Sequence, residues 1–293
     1  MLTPDYILQL LVDGIVTGSV YVLIAAGLTL IFGILGIVNF AQGEFYMLGG
    51  YFGITAAVLL RLQMLETLVV GTLAVAVVGL LCERVIFRPL QGQDMTNSII
   101  ASFGLAVALQ NAALLVFGPE PKILRTSWAT VPIHVGGLFL TLQRAIIPVV
   151  AAALILIIHL VLRYTWTGRS LRAMSQHPTM AQLCGVDVGR TGLVTFVLGA
   201  ALAGTAGVLM SSVFLVQPGI GSMIVLKAFT VVILGGMGNI YGAVAAGLLL
   251  GVVEAFTSGF LNNMMRDIVG FAIVILVLLL RPQGIFGRSV ERA

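Results

Sequence analysis

The sequence predicts an all-α, polytopic transmembrane helical bundle of about 8–10 spans, and three observations carry that reading. Hydrophobic residues make up 59% of the chain and charged residues only 9%, against about 25% charged in a soluble domain. Several apolar runs approach the roughly 20 residues that cross ~30 Å of hydrocarbon. Glycine occurs 35 times, often at helical spacing, as at Gly199, Gly204 and Gly207 or at Gly242, Gly247 and Gly251. Small residues of this kind let helix backbones approach in lipid, where no hydrophobic drive acts between helices. Residues 1–293 therefore read as one packed transmembrane domain.

Nine candidate spans fall at 6–32, 40–60, 65–82, 98–117, 146–162, 192–216, 223–234, 242–256 and 268–280. The first follows Met1-Leu2-Thr3-Pro4-Asp5, which has no basic stretch, so it reads as a retained span and not a cleaved signal. The run 223–234 would make only ~18 Å of helix, and the topology turns on whether it crosses or is re-entrant. Sorting the loops by side places nine basic residues, from Arg84 to Arg292, on one face and five, from Arg61 to Arg266, on the other. Cytoplasmic loops carry the excess of Lys and Arg, so the N-terminus is expected outside and the tail in the cytoplasm. The proline- and glycine-broken segment 118–143, with Pro119, Pro121, Pro132 and Gly136-Gly137, reads as an outer loop or small hairpin, a connector before a docking surface.

The net charge is +4, but the basic residues are scattered through short loops, which argues against a nucleic-acid partner. Cys82 and Cys184 lie far apart with no CxxC or His-rich context, so neither a disulfide nor a zinc site is implied. No HExxH or GxSxG occurs, and an enzyme is not expected.

Three stretches stand out. In Asn39-Phe40-Ala41-Gln42-Gly43-Glu44, polar groups enter a membrane segment, where they are expensive. Asn39, Gln42 and Glu44 are either a gate or pathway element, or a helix cap with an interfacial loop. The stretch 234–242 interrupts an apolar run with Gly236, Gly238 and Asn239. It reads as a broken helix beside a transport route or, in preference, a tight cytoplasmic turn. Its likeness to 39–46 hints at an internal repeat. The third stretch, 164–190, is too polar to span and suits two short helices, 170–176 and 179–184, separated by Pro178 and ended by Gly185. Such helices form either a lever on the adjoining spans or an ordinary basic inner loop.

Other polar residues within spans are Asp13, Gln110, Asn111, Lys227 and Glu254. Glu254 joins the pathway candidates on cost alone. Lys227 is expected to snorkel at the outer end of its run, and His159 to be interfacial. Asp13, Glu44 and Glu254 sit in separate spans without evident partners, which weakens the reading as an ion-coupled secondary carrier.

The combination of NFAQGEFYMLGGY, ERVIFRPL, GRSLRAMSQHPTMAQLCGV, KAFTVVILGGMGNIYGA and RPQGIFG resembles the permease subunits of branched-chain amino-acid ABC importers over nearly the whole chain. One departure is Gln42, where that family often has His. The resemblance implies an importer permease fold in the bacterial inner membrane, with broken or re-entrant helices. It implies that Gly168, Arg169, Arg172, Ala173, Ala181 and Gly185 belong to a loop that docks on an ATPase. It implies two cytoplasmic ATPase subunits, a second permease chain (homologous or identical) and an external binding protein. No GxxxxGK[ST] loop is present, so this chain is expected to hold no cofactor, with ATP and magnesium used by the partners. Relatives of the family for urea, amides and aromatic compounds leave the substrate open.

Overall fold

A computed structural model describes residues 4–126, 128, 132–135 and 138–286. Thr130, Val131, the Gly136-Gly137 pair, Arg288 and Arg292 lie outside the described residues. In chain order the elements are α1 (Pro4–Leu35), α2 (Gln42–Leu60), α3 (Met64–Cys82), α4 (Met95–Phe117), β1 (Pro132–Val135), β2 (Leu138–Thr141), α5 (Leu142–Tyr164), α6 (Trp166–Gln176), α7 (Pro178–Leu183), α8 (Val188–Met210), α9 (Ile220–Gly235), α10 (Ile240–Phe260) and α11 (Asn263–Leu280). A π-turn, Glu83–Phe87, and a 3-10 turn, Arg88–Leu90, extend α3. The expected hairpin is present, with Pro132 paired to Thr141 and Val135 to Leu138.

Glycine contacts fix the helix directions. Gly14 abuts Val252, Gly18 abuts Gly247 and Gly33 abuts Gly238, so α1 and α10 are antiparallel. Gly27 meets Gly199 while Leu35 meets Gly192, so α8 also runs against α1. Gly49 meets Gly204 and Gly53 meets Val208, which makes α2 parallel to α8; Gly71 meets Val208 and Gly79 meets Ala200, which makes α3 antiparallel to it. Among the described residues the chain thus traverses the bundle nine times, eight of them with helices long and apolar enough to cross a membrane. The described chain starts at one end and finishes at the other. Helices α6 and α7 occupy the finishing end, where Gly168 packs under the carbonyls of Val161 and Leu162; the hairpin marks the starting end.

The ninth traverse corrects the reading of 192–216 as one span. Helix α8 stops at Met210, where Ser211 Oγ and Ser212 Oγ donate to the carbonyls of Val208 (2.7 Å) and Leu209 (3.2 Å). Residues 211–219 instead turn back into the bundle, and α9 begins beside Gly43. That level is the middle of α8, since Gln42 Nε2 donates to the Gly199 carbonyl at 2.9 Å. Irregular backbone at this depth needs partners within the protein. The segment after α4 supplies them: Lys122 and Val216 exchange backbone hydrogen bonds of 2.8 and 2.7 Å, and Leu124 N–H donates to the Ser211 carbonyl at 2.8 Å.

Residues 36–41 make the opposite excursion, returning from the α6 end to the same level before α2 begins, with Asn39 Oδ1 accepting from Ala41 N–H at 3.0 Å. Helices α1–α2–α3 and α8–α9–α10 are therefore inverted copies, and α1 packs on α10 as α8 packs on α3. The repeat hinted at in the sequence is real in kind but wrongly paired: the counterpart of 39–44 is 217–222, not 234–242. The latter is a tight turn at the α6 end, where Asn239 Oδ1 caps Tyr241 and Gly242 N–H at 3.1 and 3.2 Å.

The core is the crossing of α1, α2 and α8, nearly all of whose central residues are buried. A methyl group on Gly204 would stand 2.7 Å from Val75 Cβ, and one on Gly18 would stand 2.9 Å from the Gly247 carbonyl oxygen. Leucines and valines of α3, α4, α5 and α11 face outward, as at Leu73, Leu115, Leu156 and Leu279, which is the surface that lipid covers.

Candidate functional site

The hairpin-end half of the bundle holds a buried charge network assembled from four helices. Glu254 of α10 is fully buried and both its oxygens are used. Oε1 accepts from Lys227 Nζ of α9, and Oε2 accepts from Arg266 Nε of α11 at 2.6 Å and from the Tyr21 hydroxyl of α1 at 2.8 Å. Arg266 Nη2 donates to the same hydroxyl at 2.9 Å, and Lys227 Nζ reaches Asp267 Oδ1 at 2.6 Å. Two cations meet two anions, so the cluster is balanced; a charge here without such company would cost several kcal/mol.

This network forms the polar wall of a cavity of about 650 Å³. Lys227, Arg266, Asp267, Asn263 and Tyr21 supply the polar lining, and Val20, Met210, Val213, Phe214, Ile220 and Ile224 the apolar lining from α1, the end of α8, the 211–219 turn and α9. A smaller neighbouring cavity of about 160 Å³ shares Arg266 and holds a second ion pair, Asp13 with Arg144 at 3.1 Å. The arrangement can receive a small molecule that carries both charge signs and an apolar body, the combination that orients ligands in largely apolar pockets.

Of the two breaks, the 211–219 turn lines both cavities, whereas residues 36–44 line neither. Asn39 and Gln42 are buried: Asn39 Oδ1 accepts from Ala41 N–H just ahead of α2, and Gln42 is a strut at the α1–α8 crossing. Glu44, also buried, lies against Gly221 at the start of α9, and its Oε2 has no hydrogen-bond partner. Gly236, Gly238 and Asn239 sit at the opposite end, away from the cavity. In the 164–190 segment, Gly168, Ala181 and Leu171 are buried while Arg169 stacks over Trp166 with its guanidinium carbon 4.9 Å from the ring centroid. Arg172 lines the crevices between α6, α5 and the start of α10, Ala173 packs against the core, and Gly185 adopts φ +84° to end α7.

Two expectations need correction. Lys227 does not snorkel but is buried in the network, and Asp13 and Glu254 both have cationic partners. Sequence inspection missed Tyr21, Arg144, Arg266 and Asp267 as participants. One signal was available: folding 220–260 into a hairpin at Gly235–Gly242 brings Lys227 and Glu254 within about one helical turn of the same level. His159 is bound by the Tyr241 hydroxyl at 2.8 Å. Asn111 Nδ2 donates to the Val107 carbonyl of its own helix at 2.8 Å.

Nine traverses, inverted halves with broken helices and a two-signed cavity between them define a multi-pass membrane permease. The chain belongs to the family described as branched-chain amino acid transport system / permease component, whose model matches residues 10–278. It is 37% identical to the high-affinity branched-chain amino acid transport system permease protein LivH of Escherichia coli K12, over 98% of both chains. It is also 37% identical to the corresponding permease protein BraD of Pseudomonas aeruginosa, over 97% of both. Among solved structures, PsaBC from Streptococcus pneumoniae in complex with Fab matches with a TM-score of 0.52 at 14% identity, covering 92% of this chain and 91% of that one; this likeness concerns the fold.

Proposed function

We propose that this chain is the membrane-spanning subunit of an ATP-driven importer that carries branched-chain or closely related amino acids across the bacterial inner membrane into the cytoplasm. The observation that carries the substrate class is the cavity between α1, α9 and α11, which offers both charge signs to a zwitterion and an apolar wall to a branched side chain. The names of LivH and BraD support the same class. The α6–α7 segment is the ATPase-docking element. Two ATPase subunits, a second permease chain and an external binding protein complete the assembly, with the N-terminus and the hairpin outside and the C-terminus in the cytoplasm.

The test is uptake of radiolabelled leucine, isoleucine and valine into proteoliposomes holding the complete complex, with the receptor and ATP on opposite sides. ATP-dependent accumulation supports the reading. Accumulation of urea or an aromatic acid, with none of the three amino acids, sinks it.

A further inference from the structure

A second pair of cavities lies on an outward-facing side of the bundle, between α5 and α10, away from the charge network. One, of about 410 Å³, is lined by Ile155, Leu162, His159, Tyr241, Arg163 and Arg172. The other, of about 500 Å³, continues it between α1, α5 and α10, sharing Ile155, His159 and Tyr241 and running up to Pro148 and Leu248. The two form one crevice with a polar mouth and an apolar shaft. From His159 to Pro148 the shaft rises about 16 Å along α5, the depth of one leaflet of a ~30 Å hydrocarbon core.

The mouth is cationic. No Asp or Glu lines it, and among the described residues neither Arg163 nor Arg172 is in an ion pair. Arg163 lies one turn beyond His159 on α5, and Arg172 reaches in from α6. The Tyr241 hydroxyl and His159 Nδ1, hydrogen-bonded at 2.8 Å, stand between the arginines and the shaft. Trp166 and Tyr164 are exposed beside them, where amphipathic rings settle at the headgroup level.

We infer that this crevice is a binding site for an anionic glycerophospholipid of the leaflet at the α6 end, its phosphate held by Arg163 and Arg172 and one acyl chain laid along Ile155, Ala152 and Leu248. Charge complementarity selects the occupant: basic pockets between transmembrane helices recognise anionic headgroups, and the apolar shaft excludes free phosphate as a sufficient ligand. The lipid bridges α5, α6 and α10, so it ties the α6–α7 segment to the bundle. The site is independent of what the permease transports.

The experiment is native mass spectrometry of the detergent-purified chain after exchange into vesicles of phosphatidylglycerol and phosphatidylcholine at one to three. The wild-type chain is expected to retain phosphatidylglycerol in preference to phosphatidylcholine. Retention falls about five-fold in Arg163→Gln and about 25-fold in Arg163→Gln/Arg172→Gln, from the contribution of each basic group near an anionic surface. Ala152→Trp, which fills the shaft and leaves the arginines intact, abolishes retention of both lipids. Equal retention of the two lipids by the wild type overturns the inference, as does unchanged retention in the double variant. So does a lipid-free crevice covered by a second copy of the chain, read as a dimer that Ala152→Trp dissociates.

Discussion

Gly43, in the first turn of α2, lies directly against the backbone of Gly221, in the first turn of α9. These are the points at which two inverted halves of the chain begin their broken helices. Neither position has room for a side chain. Helix N-termini bring unpaired N–H groups and partial positive charge to one level of the bundle, and the buried Glu44 carboxyl stands beside them. Replacing Gly221 by Val drives a methyl group into the Glu44 carboxylate. The variant is expected to lose transport and to lower the thermal midpoint of the detergent-solubilised chain, with overpacking of this kind costing about 1–3 kcal/mol.

The network around Glu254 gives a sharper stability test. Lys227→Met leaves a fully buried carboxylate one cation short, which costs about 3–5 kcal/mol when a buried pair is broken. Lys227→Met/Glu254→Gln removes one charge of each sign while keeping an oxygen for Arg266 and Tyr21, and recovers part of that loss. Midpoints from thermal unfolding monitored by tryptophan fluorescence report the order: wild type, then double variant, then single.

Asp267 is the exposed member of the network, with 44% of its side chain accessible. Asp267→Asn leaves Glu254 as the one carboxylate between Lys227 and Arg266, but the charge it uncovers lies at the solvent-accessible edge of the network, so the variant is expected to fold. Uptake should show a raised KM with little change in maximal rate if this carboxylate meets the ammonium group of the substrate. An unchanged KM assigns Asp267 to structure alone.

Gly185 ends α7 in the left-handed region at φ +84°, where a Cβ costs roughly 1–2 kcal/mol. Gly185→Asp both strains this turn and adds charge to the segment proposed to contact the ATPase. Uptake is expected to fall at least several-fold while ATP hydrolysis by the assembled complex persists. Proportional loss of both activities rejects the lever role.

The two cysteines report sidedness without any substitution. Cys184 is exposed beside Gly185 and Cys82 is buried. A membrane-impermeant maleimide added to intact cells should label neither, and in inverted vesicles it should label Cys184 only. Labelling of Cys184 from outside reverses the proposed orientation.

Much of the scaffold was legible in the sequence. Long apolar runs fixed the traverses, and the glycines of α8 and α10 were identifiable as packing residues because they recur at helical spacing. Pro178 and Gly185 were enough to divide 164–190 into two short helices. What stayed hidden depends on contacts between distant segments. Residues 211–216 are as apolar as a helix end, and only their backbone bonds to Lys122 and Leu124 reveal a return into the bundle. Lys227 looked like a snorkelling charge and Arg266 like a loop cation, since nothing local shows that Glu254, Asp267 and Tyr21 stand among them. The cavity itself belongs to no single stretch of chain.

The paired backbone hydrogen bonds between Lys122 and Val216 have a mechanical meaning. They splice the segment after α4 to the turn that walls the cavity and leads into α9, so these two distant stretches of chain move as one piece. A force applied to either is delivered to the mouth of the cavity without passing through a single side chain. Substitutions at position 122 leave that splice intact as long as the backbone amide survives.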